Sequence, residues 1–195
     1  MVDDDAMKTV LAASLATARS NLLFKLEGLS ERELRLPRTP TGFNLLGVVK
    51  HMSQVEIGYF GDTFDRPWPN RAEVVTLVQI DADPQADWYA TEAETAESVF
   101  DLYRRVIEFV ETSVDSLPLD AVGTVPHWSA LENSVTLGQI MVHVLVDLTR
   151  HLGQVDIIRE SIDGQVGLSA ATPNMPEGHD WDAYSQKLRR IAERF

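Results

Sequence analysis

The stretch Gly138-Gln-Ile-Met-Val-His143-Val-Leu-Val-Asp147-Leu-Thr-Arg-His151-Leu-Gly-Gln154 decides how this chain is read. His143, Asp147 and His151 recur every four residues, a spacing that stacks side chains along one face of an α-helix. Thr136-Leu-Gly-Gln139 is a candidate capping box at the helix start, and Asp163-Gly164 breaks the helix after about Ser161. Far upstream, His51 lies in a second helical pattern, Val48-Val49-Lys50-His51-Met52-Ser53-Gln54-Val55-Glu56. Its neighbours Val48, Met52 and Val55 turn it inward. One imidazole from one helix, with a carboxylate and imidazole pair from another, can hold a divalent metal and leave positions open for chemistry.

The rest of the chain reads as helix joined by long connections. A first helix spans about 5–29, with Leu11, Leu15, Ala18, Leu22 and Leu26 as its apolar stripe and Gly28 near its end. Pro37 and Pro40 enforce a loop. The second helix covers about 44–63, with Tyr59 and Phe60 on its core face, and ends before Asp65-Arg-Pro-Trp-Pro69. Within the connection 66–90, Val74-Val75-Thr76-Leu77-Val78 reads as a short strand, and Trp88-Tyr89 as loop anchors. Thr91-Glu92-Ala93-Glu94 reads as the capping box of a third helix ending near Ser116. A loop at 118–135 carries His127 and Trp128, and a covering loop spans 164–180. Asp180 caps a last helix, 181–194, with Trp181, Tyr184, Leu188 and Ile191 on one face. The expected fold is all-α: one domain over 1–195, a four-helix bundle with a short C-terminal helix packed on it.

Composition narrows the partners. With 17 basic against 30 acidic residues the formal charge is −13, which repels nucleic-acid phosphates and anionic membranes. The absence of cysteine excludes disulfides, cysteine-ligated zinc and a cysteine nucleophile. Any thiol chemistry needs a thiol cosubstrate. No apolar run reaches transmembrane length, and the acidic start Met1-Val-Asp-Asp-Asp5 is unlike a secretory signal, so the expected location is the cytoplasm.

Each site residue has a plainer reading. Asp147 between two histidines also suits a satisfied hydrogen-bond network between helices. His143 is open to three roles: a further ligand, an outer hydrogen-bond partner or an acid/base. Glu56 reads as a solvated or helix-contacting charge. Gln154 reads as an interhelical hydrogen bond, with orientation of a ligand as the sharper role. Arg35 and Arg38 read as surface pairs or an anion site. Trp68 and Trp128 read as loop anchors or walls of a pocket mouth. His127 and His179 read as exposed and without a ligand partner.

Three segments carry a resemblance that spans nearly the whole chain: Thr39-Pro-Thr-Gly-Phe-Asn-Leu-Leu-Gly-Val-Val-Lys-His51, Tyr59-Phe-Gly-Asp-Thr-Phe-Asp-Arg-Pro-Trp-Pro69, and Thr136 through Gly164. In them the chain resembles the DinB/YfiT-like superfamily, in its actinobacterial uncharacterised branch. The resemblance implies an up-down-down-up bundle with a metal pocket, whose ligands map onto His51, Asp147 and His151. The donor set suits zinc, nickel, manganese or iron(II), with zinc or nickel expected, and the resemblance implies a homodimer and kinship to mycothiol-dependent maleylpyruvate isomerase and to thiol S-transferases, in which metal activates a small thiol. Where such relatives carry Glu or His, this chain carries Asp147, one methylene shorter than Glu. The expected function is metal-dependent activation of a small thiol such as mycothiol, or of water, toward a small electrophile. The alternative is a noncatalytic bundle that binds a small molecule or a structural metal.

Overall fold

In chain order the computed structural model runs α1 (Asp4–Phe24), α2 (Glu31–Arg35), α3 (Leu45–Glu56), α4 (Leu77–Ala82), α5 (Ala96–Ser116), β1 (Val122–Thr124), β2 (Ser134–Thr136), α6 (Leu137–Asp163) and α7 (Trp181–Ala192). It describes residues 4–169 and 171–195. The first three residues of the acidic start fall outside that set. The all-α expectation holds: α1 packs on α6 and α3 on α5, with α3 also meeting α6.

The caps explain where helices begin and end. Thr136 accepts from the Gln139 amide while the Gln139 side chain accepts from the Thr136 amide, the reciprocal box that the sequence suggests. Gly164 closes α6 in the left-handed region at φ 75°. On α1 Leu15, Ala18 and Leu22 are buried and Leu11 partly so, as read, but the helix stops at Phe24, short of the expected 29, so Leu26 is buried in the turn after it. Asn44 caps α3 through the Gly47 amide at 2.7 Å.

Several local expectations give way. Val74–Val78 does not form a strand. Thr76 and Gln79 make a capping box there and start α4 instead. The strands lie in the 118–135 connection, as a hairpin that pairs Gly123 with Val135. Helix α5 begins at Ala96, capped by Thr95. The Glu94 carboxylate does reach back to the Thr91 amide, but it also binds Lys50 at 2.9 Å, which places it in a strap across α3 rather than in the helix.

The second helix is not continuous. After Glu56 it widens into a π-helical turn, Ile57–Gly61, and then tightens into a 3₁₀ turn, Asp62–Phe64. Helix α7 also departs from expectation. Trp181, Tyr184, Leu188 and Ile191 share a face, but each stays 43–47% exposed and no α7 residue is buried. The helix meets the body on one side only, across a groove of about 820 Å³ that includes Lys25 and Ile157.

Of the two readings of Glu56, the helix-contacting one holds: the residue is fully buried, not solvated. Its carboxylate takes Nη2 of Arg19 at 2.6 Å and Nε at 3.2 Å, and accepts from the Tyr103 hydroxyl at 3.0 Å. Helix α3 is covered nearly all round, so an angle from His51 does not mark a solvent face. The network joins α1, α3 and α5 immediately before the π turn. Replacing Glu56 with Ala strands a buried guanidinium, so unfolding free energy drops by about 3–5 kcal/mol in a denaturant titration. A drop below about 1 kcal/mol, the scale of surface pairs, contradicts this.

Candidate metal centre

Helix α3 brings His51, and α6 brings Asp147 and His151, to one point. One ligand atom from each lies within 4.8 Å of the others. His151 Nε2 is 3.4 Å from one Asp147 oxygen, and His51 Nε2 is 4.0 Å from the other. The histidine rings meet edge to face with centroids 5.3 Å apart. His151 is buried, and the other two residues are partly so.

The outer nitrogens are both engaged. His51 Nδ1 bonds the Asp87 carboxylate at 2.7 Å, and His151 Nδ1 bonds the Gln154 amide oxygen at 2.8 Å. A carboxylate or amide oxygen accepts from Nδ1–H, which directs the Nε2 lone pair inward. Two lone pairs and one carboxylate then face the same point, an arrangement that a cation completes. The spacing also agrees. Ligands about 2.1 Å from a tetrahedral cation sit about 3.4 Å from one another. One Asp147 oxygen meets that separation with His151, and the other lies about 0.6 Å beyond it from His51.

Electrostatics follow from this packing. The hydrogen bond with His151 holds the Asp147 carboxyl below its ordinary range against burial, helped by His51 and His143. Burial works to lower the His151 pKa, but the bonds to Asp147 and Gln154 outweigh it and raise the imidazole above its ordinary value. A proton and a cation therefore compete for His151 Nε2.

Three polar ties and one glycine hold the strap that bears Asp87. Asn44 Nδ2 donates to the Trp88 carbonyl at 2.9 Å, and Lys50 Nζ to the Tyr89 carbonyl at 3.1 Å. Arg35 donates to the carbonyls of Ala90, Thr91 and Glu94. Gly47 lies one turn before His51, and a Cβ there would sit 1.9 Å from the Trp88 oxygen. Trp88 stacks on the His51 ring at 3.8 Å and 18°, and meets His151 edge-on at 5.2 Å. The loop-anchor reading of Trp88 omitted this role, and Asp87 went unread. Their position depends on a tertiary strap, which no periodicity reveals.

Beside the cluster opens a cleft of about 770 Å³, lined by His51, Asp147, Tyr59, His143 and the apolar run from Val74 to Val78. Gln54 ties that run to α3 through reciprocal bonds with Val75 at 3.1 and 3.2 Å. His143 is exposed, and its ring packs edge-on against Tyr59 at 4.7 Å and Trp128 at 5.2 Å. It stands outside the three-residue group among the described residues.

A family model for mycothiol S-transferase matches residues 10–164. The chain belongs to the mycothiol S-transferase family. The matched span takes in α3, α5, all of α6 and the strap, and stops before α7. Among curated proteins, none matches the chain. No helix among the described residues is long and apolar enough to cross a membrane.

The other sequence candidates of this mycothiol S-transferase family member fall elsewhere. Arg35 makes the surface pair that the sequence offered, with Glu31 at 2.6 Å, and also donates to strap carbonyls, while Arg38 Nη2 donates to the Glu33 carbonyl at 3.1 Å. Trp68 is buried, donates to Glu73 at 3.3 Å and packs on Phe109, away from the cleft. His127 is exposed, as read, but it has a partner: its Nε2 stands 3.3 Å from the Tyr59 hydroxyl. His179 is exposed and packs on Trp181 at 4.4 Å, also outside the cleft. Tyr59 is only partly buried and lines the cleft, where the sequence reading had it in the core. Phe60 is fully buried, as expected.

Two outcomes test the outer bonds. Asp87→Ala leaves the bundle folded and weakens divalent-cation affinity about 10- to 100-fold in chelator competition. Unchanged affinity shows that Asp87 does not orient His51. Affinity also rises with pH through a His151 pKa above 6.5 and then levels off, because the proton and the cation compete for Nε2. Calorimetry at several pH values reads that slope, and a flat profile contradicts it.

Proposed function

We propose that this mycothiol S-transferase family member is a metal-dependent enzyme that activates a small thiol, with mycothiol the leading candidate, for transfer to a small electrophile. His51, Asp147 and His151 are the proposed ligands, and zinc or nickel is the proposed metal. The observation that carries the reading is the convergence of two inward Nε2 atoms and one carboxylate on the wall of an open cleft. Three protein ligands leave a coordination position free, which suits catalysis better than a closed structural site. A divalent cation held there lowers the pKa of a thiol and supplies a nucleophile at neutral pH.

The chain's own residues do the rest. Asp87 and Gln154 fix the imidazole rotamers, and Trp88 limits the His51 ring by stacking. The apolar run at Val74–Val78 receives the body of the electrophile and excludes water from it. His143 lines the same cleft one turn before Asp147, which supports a role as acid/base toward bound substrate or as an outer hydrogen-bond partner. The absence of cysteine suits a thiol that arrives as cosubstrate. A homodimer, on the family's account alone, and a cytoplasmic location complete the proposal.

The test uses full-length protein purified without an affinity tag. Metal analysis should find about one divalent ion per chain, and a chelator should abolish thiol transfer that added metal restores. His151→Ala should lose the ion and keep its helical spectrum. Metal retained by that variant means the ligands are misassigned. No transfer above free metal, across a screen of thiols and electrophiles, overturns the catalytic reading in favour of a binding role.

A further inference from the structure

The cleft has a second polar wall, which thiol activation does not use. Tyr59 sits in the π-helical turn Ile57–Gly61. At 3.6 residues per turn, a residue eight positions after His51 lies about 80° round the helix. A π turn rotates less per residue, so it swings Tyr59 back toward the His51 face. Such turns recur at functional sites, where they re-aim a side chain.

The surroundings of the Tyr59 oxygen are equally specific. Trp128 Nε1 donates to it at 3.2 Å. That bond uses an oxygen lone pair and leaves the phenolic hydrogen for donation. His127 Nε2 stands 3.3 Å away as the acceptor in the absence of ligand. Loss of solvent around its ring, then the neighbouring His143, holds His127 below its ordinary pKa, so it is neutral near pH 7. Burial, ahead of the opposing Trp128 bond, keeps the Tyr59 phenol protonated. Tyr59 lines the same cleft as His51 and Asp147.

We infer that Tyr59 is a catalytic residue that protonates the oxygen of an epoxide as the thiol sulfur adds to carbon. The inference rests on the thiol-transfer reading and names its substrate class. A sulfur–carbon bond forms, the ring carbon–oxygen bond breaks, and the phenolic proton moves to that oxygen. The phenolate recovers a proton from water, and the proton lost by the thiol goes to solvent. The product is a β-hydroxy thioether. Trp128 is a positioning residue whose N–H holds the phenol oxygen and stabilises the phenolate.

The test compares styrene oxide with benzyl chloride as partners of mycothiol on the metal-loaded full chain. Chloride leaves without a proton, and the epoxide oxygen requires one. In Tyr59→Phe the ratio of kcat for styrene oxide to kcat for benzyl chloride should fall about a hundredfold. Trp128→Phe should move the same ratio in the same direction by about tenfold. Calorimetry on metal-free protein supplies a second reading: Tyr59→Phe should bind the hydroxy thioether product about tenfold more weakly. Circular dichroism and metal content should match the wild type. A ratio that moves less than about threefold overturns the inference. So does a wild type that turns over benzyl chloride alone. If the wild type turns over neither, the thiol-transfer reading falls, and unchanged product affinity in Tyr59→Phe then removes Tyr59 as well.

Discussion

Each histidine of the cluster is held by the nitrogen that faces away from it. Asp87 and Gln154 take the Nδ1 protons at 2.7 and 2.8 Å, which leaves both Nε2 atoms aimed at Asp147. Those outer bonds, with Trp88 stacked on His51, set the ring orientations that bring the three ligand atoms within 4.8 Å. Ionisable groups gathered in a partly dry interior are costly unless something compensates them. Here the compensation is arranged in two layers: Asp87 and Gln154 outside and the Asp147 carboxylate inside. Much of the surrounding architecture serves that arrangement. The strap at 87–94 is tied down by Asn44, Lys50 and Arg35, and Gly47 lets its backbone lie against α3.

Helix α3 and its continuation serve two purposes within about twenty residues. Their first half presents His51. Glu56, one turn and a half later, anchors the helix to α1 and α5 through Arg19 and Tyr103. Only after that anchor does the helix widen into its π turn. The irregular segment is thus supported on one side by a buried ion pair and on the other by the 3₁₀ turn at Asp62–Phe64. Irregular helix beside a cleft costs backbone order, and the buried network offsets that cost locally.

What the sequence makes legible is what periodicity and local chemistry control. The i, i+4 spacing places Asp147 beside His151, the apolar neighbours of His51 turn it inward, and Thr136 with Gln139 marks the start of α6. What it hides depends on contacts between distant segments. Asp87 lies 36 residues from the histidine it orients, in a strap without periodic pattern. Val74–Val78 has the β-branched composition of a strand, yet Thr76 and Gln79 cap a helix there. The sequence leaves Glu56 open between solvent and a neighbouring helix because a bare helix has an outside, whereas α3 is packed nearly all round. Tyr59 reads as core because a regular helix is assumed through a turn that is not regular.

The most direct measurement of the central claim is a crystal structure of metal-loaded protein with anomalous scattering at the metal edge. The account predicts one peak bounded by His51 Nε2, His151 Nε2 and an Asp147 oxygen, each about 2.0–2.2 Å away, with one position not filled by protein. It also predicts that Asp87 and Gln154 keep their bonds to the two Nδ1 atoms. A peak on His143 and His127 instead, four protein ligands around the ion, or no ordered metal at this point would contradict it.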